Sequence, residues 1–182
     1  MATGHRVSQL AALLRTPEFA RFGPGDTYVT LATKPLFLAK NERAGHRMKP
    51  ITIHAWRQTD THHPLCPVRA LRDYLSATSD TTDVNLWLDP RSARPLNTAG
   101  LARHLVRVIH LADPQSHPRA HQVRRYASSL AFFRSFDVEE VREAGQWSSS
   151  RSFVQRYLVH HLTDVPCVAM GSTPGHDRTG DT

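Results

Sequence analysis

From His121 to Tyr157 the chain reads HQVRRYASSLAFFRSFDVEEVREAGQWSSSRSFVQRY, and no other stretch limits the fold as strongly. Its apolar residues recur at helical spacing, and two breaks divide it. Asp137, with Glu140 three positions on, makes a capping-box-like helix start, and Gly145 closes the short helix that follows. The pattern predicts a central helix over 119–133, a short helix ending at Gly145, and a last helix over about 149–161. Leu130 and Phe133 are assigned to the core, as are Phe153, Val154 and Leu158. The small residues Ala127, Ser128, Ser129 and Ala131 allow close packing of the central helix.

The polar residues of the same stretch form an ordered series. His121 and Arg124 stand one helical turn apart on one face. About two dozen positions later comes Gly-x-Trp-Ser-Ser (Gly145 to Ser149), and about ten beyond Trp147 stands Tyr157. A guanidinium presents a planar fork to two phosphate oxygens, and an imidazole moves protons near neutral pH. An indole donates only through its N–H, and a phenol can attack phosphorus to form a covalent ester. Taken singly, each residue is better explained by a buried helical hairpin with Trp147, Phe153 and Tyr157 as core. The set in this order and spacing favours a metal-free phosphodiester site.

These residues resemble the catalytic domain of the tyrosine recombinases, the phage-integrase family. The wording AHQVRR, AGQWSSSRSFVQRYL and LCPVRALRDYL is most similar to recombinases of eukaryotic DIRS-like and Crypton-like mobile elements. Near the N-terminus, GHRVSQL resembles the family's first arginine box and places Arg6 as a second guanidinium. The family's Glu three residues after that Arg is Gln9 here, which offers a neutral rather than a charged bond for orienting Arg6. Lys40, at the end of FLAK, falls where the family keeps the lysine that protonates the leaving 5′ oxygen; Lys34 and Lys49 are rivals. The resemblance therefore implies a catalytic set of Arg6, Lys40, His121, Arg124, Trp147 and Tyr157.

It also implies the fold: mainly α with a small three-stranded antiparallel β-sheet (α+β), a tyrosine recombinase catalytic-domain fold over 1–162. The chain starts inside the first predicted helix, so the expectation is a domain incomplete at its N-terminus. A Gly/Thr/Asp-rich tail follows over 163–182, expected to be disordered after 171.

Along the rest of the chain, Val7, Leu10, Ala11 and Leu14 predict an amphipathic helix that Thr16-Pro17 ends. TYVTL, PLFLAK and KPITIHAW predict the three strands, with a hairpin-like break over Asn41 to Gly45. PVRALRDYLSAT predicts a helix with Pro67 in its first turn and Val68, Leu71, Tyr74 and Leu75 on one face. VNLWLD predicts a short buried extended segment. Asn97 caps a further helix whose apolar stripe is Leu101, Leu105, Val108 and Ile109. Its other face carries Arg103, His104 and Arg107. Arg103 and Arg107, with Arg125 and Arg151, are candidates for phosphate-backbone contacts; an ordinary solvated face is an equal alternative for that helix.

The formal charge of +7 on 182 residues suits double-stranded DNA as partner. The two cysteines, Cys66 and Cys167, are far apart, and the 12 histidines include adjacent pairs without Cys-x-x-Cys, so neither a metal nor another cofactor is expected. No apolar run predicts a membrane span, and no small-molecule substrate is implied. The expected function is DNA strand cleavage and rejoining through a 3′-phosphotyrosyl intermediate, with self-association on DNA. The location is nuclear if the host is eukaryotic and otherwise intracellular. A catalytically decayed DNA-binding relic is the competing reading, and a type IB topoisomerase-like nicking enzyme a third.

Overall fold

The computed structural model describes residues 4–39, 48–56, 63, 65–115, 117, 119–135 and 137–145. Among them are five α-helices, α1 (Val7–Ala11), α2 (Pro67–Ala77), α3 (Thr98–Ala112), α4 (Ala120–Ser135) and α5 (Val138–Ala144). Three strands, β1 (Ala20–Phe22), β2 (Tyr28–Leu31) and β3 (Ile51–His54), complete an α+β architecture. No helix among these residues is long and apolar enough to cross a membrane.

The sheet is antiparallel in the order β1-β2-β3. Its register stacks two apolar rows across the strands, Ala20–Leu31–Ile51 and Phe22–Val29–Ile53. Val29 and Leu31 are buried there, while Tyr28 and Thr30 alternate toward the other face. On that face Thr30 and Thr52 pair through their hydroxyls at 3.3 Å. The β1–β2 turn uses Gly25 in the left-handed region, φ 58°.

PLFLAK, expected as the second of the three strands, forms none over its described residues, 35–39. β2 already has both edges filled by β1 and β3, and Phe37 donates to Lys34 O in a turn at Pro35. Leu36 and Leu38 consequently face solvent. The strand taken instead is Ala20–Phe22, only three residues long and too short to show a period-two pattern.

The first helix is also shorter than its periodicity suggests. After Ala11 the chain extends, and Leu14 donates to Ala32 O while Leu86 donates to Leu13 O. Pairing on both sides holds Leu13 and Leu14 in the core as extended chain, so tertiary bonds override helix propensity. VNLWLD is the expected buried extended segment, with Leu86 and Leu88 buried. Trp87 donates from its indole to Leu10 O at 2.9 Å, tying this segment to α1.

α2 lays Val68 and Leu71 on the sheet, with Tyr74 and Leu75 packed against the same core. The Tyr74 hydroxyl accepts from Leu88 N–H at 2.8 Å. Arg15 closes the far end of α2, donating to Leu75 O, Thr78 O and Thr78 Oγ1. α3 is capped as expected, Asn97 accepting from Gly100 N–H at 2.8 Å. Its apolar stripe is only partly buried: Leu101 is in the core, but Val108 is 64% exposed. Leu130 on α4, expected in the core, is also exposed. α1 and α4 both pack on α3, and α5 packs on α4, which sets the N-terminal segment and the central helix on a common support.

Candidate functional site

α4 starts where Gln122 accepts from the backbone N–H of Arg119 through Oε1 at 2.6 Å. His121, in its first turn, is exposed. Arg124, one turn on, is 5% exposed. The shared face read from their spacing is therefore not one shared environment, because the helix sinks into the fold between the two. Arg124 donates from Nη2 to Gly145 O at 3.0 Å. That carbonyl lies at the C-terminal end of α5, where unpaired helix carbonyls and the helix dipole favour a cation. Two elements separate in sequence, His-x-x-Arg and the glycine that opens Gly-x-Trp-Ser-Ser, are thus bonded to each other.

Ser128 and Ser129 show why small residues follow Arg124. Both are buried, and Ser128 donates to the carbonyl of Arg124 one turn back, at 2.7 Å. A larger side chain at either position would compete for the packed space around α4.

The N-terminal box comes to the same place through a residue the sequence reading passed over. His5 is 6% exposed. Burial, and secondarily the nearby guanidinium of Arg124, push its pKa down to about 4, so the ring is neutral at physiological pH. Among the described residues neither ring nitrogen has a hydrogen-bond partner. A buried polar group left so costs roughly 1–3 kcal/mol. In the sequence the only hint of His5 was its place inside GHRVSQL. The charge that acts on it belongs to Arg124 on α4, more than a hundred residues away, and no local pattern reports that.

Arg6 follows His5 directly, half-buried at the N-cap of α1. Gln9, 2% exposed, accepts through Oε1 from the backbone N–H of Arg6 at 2.8 Å. The bond expected to orient the Arg6 guanidinium instead caps the helix backbone. A neutral amide does this in a buried position without the cost of burying a carboxylate.

Solved structures share this arrangement of elements. The XerA recombinase superposes with a TM-score of 0.61 at 17% identity, covering 89% of this chain and 50% of that one. The XerH site-specific recombinase bound to difH substrate, in a pre-cleavage complex, gives 0.58 at 17% identity, covering 83% of this chain and 38% of its own. A post-cleavage XerH complex on palindromic difH substrate also gives 0.58 and 17%, covering 86% and 40%. The fold is that of the tyrosine recombinases.

The chain spans half the length of XerA and about two fifths of XerH. No protein-family model matches the sequence, and no curated protein matches it.

Within this recombinase fold, Lys40, Trp147, Arg151 and Tyr157 lie outside the described residues. The candidate backbone-contact residues Arg103 and Arg107 on α3, and Arg125 on α4, are all exposed. Their neighbour His104 turns toward Asp89, Nε2 to Oδ2 at 3.8 Å.

Proposed function

We propose that this chain is the catalytic domain of a DNA recombinase that cuts and rejoins DNA strands through a covalent bond to Tyr157. The observation that carries this reading is the buried bond from Arg124 to Gly145. It joins the His-x-x-Arg element to the start of Gly-x-Trp-Ser-Ser, with His5 of the N-terminal box near enough to feel the charge of Arg124. The XerH complexes, solved on difH substrate, support double-stranded DNA as the partner, as does the charge of +7.

In the proposed reaction the phenol oxygen of Tyr157 attacks the scissile phosphorus and its proton passes to a base, for which His121 is the candidate. The bond from phosphorus to the 5′ oxygen breaks, and Lys40 protonates that oxygen. The product is a 3′-phosphotyrosyl ester and a free 5′ hydroxyl. Attack by a 5′ hydroxyl reverses the step, so rejoining needs no outside energy source. Arg6, Arg124 and Trp147 hold the charge that builds on the non-bridging oxygens, each such donor contributing roughly 3–4 kcal/mol to lowering the barrier. A mobile-element recombinase that assembles on DNA, acting in the nucleus of a eukaryotic host, is the wider role that fits the DIRS-like and Crypton-like wording.

The test is a nicked suicide duplex containing the target, incubated with the full-length gene product. A nick beside the cleavage site lets the short 5′-hydroxyl fragment diffuse away, so the adduct accumulates. The expected result is a covalent protein–DNA band that Tyr157→Phe abolishes, that Arg124→Ala nearly abolishes, and that EDTA leaves unchanged. A protein that binds the duplex tightly yet never forms the band would be a DNA-binding relic.

A further inference from the structure

We infer that His5 is itself a phosphate ligand, its neutral imidazole donating an N–H to a non-bridging phosphate oxygen beside the guanidiniums of Arg6 and Arg124. The inference rests on the proposed reading of Arg124 as a phosphate-holding residue and adds a member that neither the residue series nor the spacing supplied.

Three observations meet on this residue. Its ring is 6% exposed, and neither nitrogen has a partner among the described residues. Buried polar groups in folded proteins are almost always hydrogen-bonded, so a ring in this position calls for a partner, and phosphate is assigned to that role. The second observation is the neighbour. Arg124 lies close enough for its charge to oppose protonation of the ring. A positive neighbour repels a cationic ligand and attracts an anionic one. The third is covalent: His5 is joined to Arg6, whose backbone is fixed by Gln9, so the two residues reach the site together.

The chemistry of a neutral imidazole suits that place. It carries one donor and one acceptor, and it can bond a phosphate oxygen without adding a second positive charge beside the buried guanidinium of Arg124. A lysine or arginine at position 5 would place a second buried cation beside Arg124. Where a permanent charge would be costly before DNA arrives, a neutral donor is available in both the empty and the loaded states.

The experiment uses inorganic phosphate as the probe on the full chain, near neutral pH and at low salt. Phosphate affinity is measured for the wild type and for His5→Phe, His5→Gln and Arg124→Ala, and the ring nitrogens of His5 are followed by NMR. The expected result is a loss of about fivefold in affinity for His5→Phe, with His5→Gln within about twofold of wild type because its amide restores a donor. The His5 ring resonances should shift as phosphate is added. If Arg124→Ala loses binding while His5→Phe binds as well as wild type, His5 is not a ligand and the reading of Arg124 stands. If Arg124→Ala also binds normally, the phosphate reading of the whole site fails with it. Should His5→Phe not fold, the wild-type resonances decide: no response to bound phosphate overturns the inference and leaves an ordinary bound water as the partner of the ring.

Discussion

Arg124 and Gly145, 21 positions apart, are joined by a 3.0 Å bond from guanidinium to carbonyl inside the fold. The bond fixes the end of α5 against the second turn of α4. A guanidinium intended for a phosphate needs a fixed orientation, because a planar fork gains little from a partner it meets at the wrong angle. One N–H group spent on Gly145 provides that orientation. Arg124 is therefore a structural residue and a candidate chemical one at once, and its substitutions should report on both.

Arg124→Ala is expected to lower stability by about 2–3 kcal/mol, the range for losing a charged hydrogen bond and leaving a buried carbonyl without its donor. Arg124→Lys should recover only part of this, since one ammonium cannot reproduce the fork. Urea unfolding of both variants measures the difference. Equal stability of Arg124→Ala and wild type would mean that the bond to Gly145 contributes nothing to the fold.

The helices around this bond were legible because their signals are local. Asp137 accepts from Glu139 and Glu140 N–H, Asn97 caps α3, and Pro67 opens α2, each as its side-chain chemistry dictates. Two strands of the sheet were legible in place, TYVTL as β2 and KPITIHAW as β3, and the third only in count. Which apolar run fills which edge is decided between strands, so PLFLAK and Ala20–Phe22 exchanged roles without a local sign of it. Likewise the spacing of His121 and Arg124 gave the turn between them but not the depth of either. Depth depends on how α4 sits on α3, and His5 was invisible for the same reason.

Arg15→Ala is expected to cost about 1.5–3 kcal/mol, because one guanidinium nitrogen serves three acceptors at the end of α2. The loss should be local at first. Amide exchange at 75–78 should accelerate before the sheet amides respond, and a uniform change across the domain would contradict this account.

Arg103 and Arg107 are exposed on α3, so replacing either with Ala should leave stability within about 0.5 kcal/mol of wild type. If they follow the DNA backbone, each replacement should weaken duplex binding for all sequences alike and reduce the slope of log affinity against log salt by about 1. Titration at several salt concentrations measures that slope. Unchanged slopes would assign this face of α3 to solvent.

The pH dependence of stability tests the environment of His5 directly. Its folded pKa is pushed from 6.5 down to about 4 by burial and by Arg124. The unfolded chain therefore binds a proton, between those two values, that the folded chain refuses. Stability should be fully present above about pH 6.5 and fall as the pH is lowered toward 4, by about 3 kcal/mol in all from this one group. Asp89 and Glu18, whose carboxyls are held below their usual values of 3.8 and 4.5 chiefly by backbone N–H bonds, begin to lose their contributions only around those usual values, at the bottom of this window, and leave most of it to histidine. In His5→Phe the slope between pH 4 and 6.5 should be much reduced, since no proton is taken up at that position on unfolding. Urea midpoints across the window, for wild type and variant, provide the comparison. A wild-type curve as flat as that of His5→Phe would show that the ring is not held neutral, and would remove the electrostatic link between the N-terminal box and Arg124.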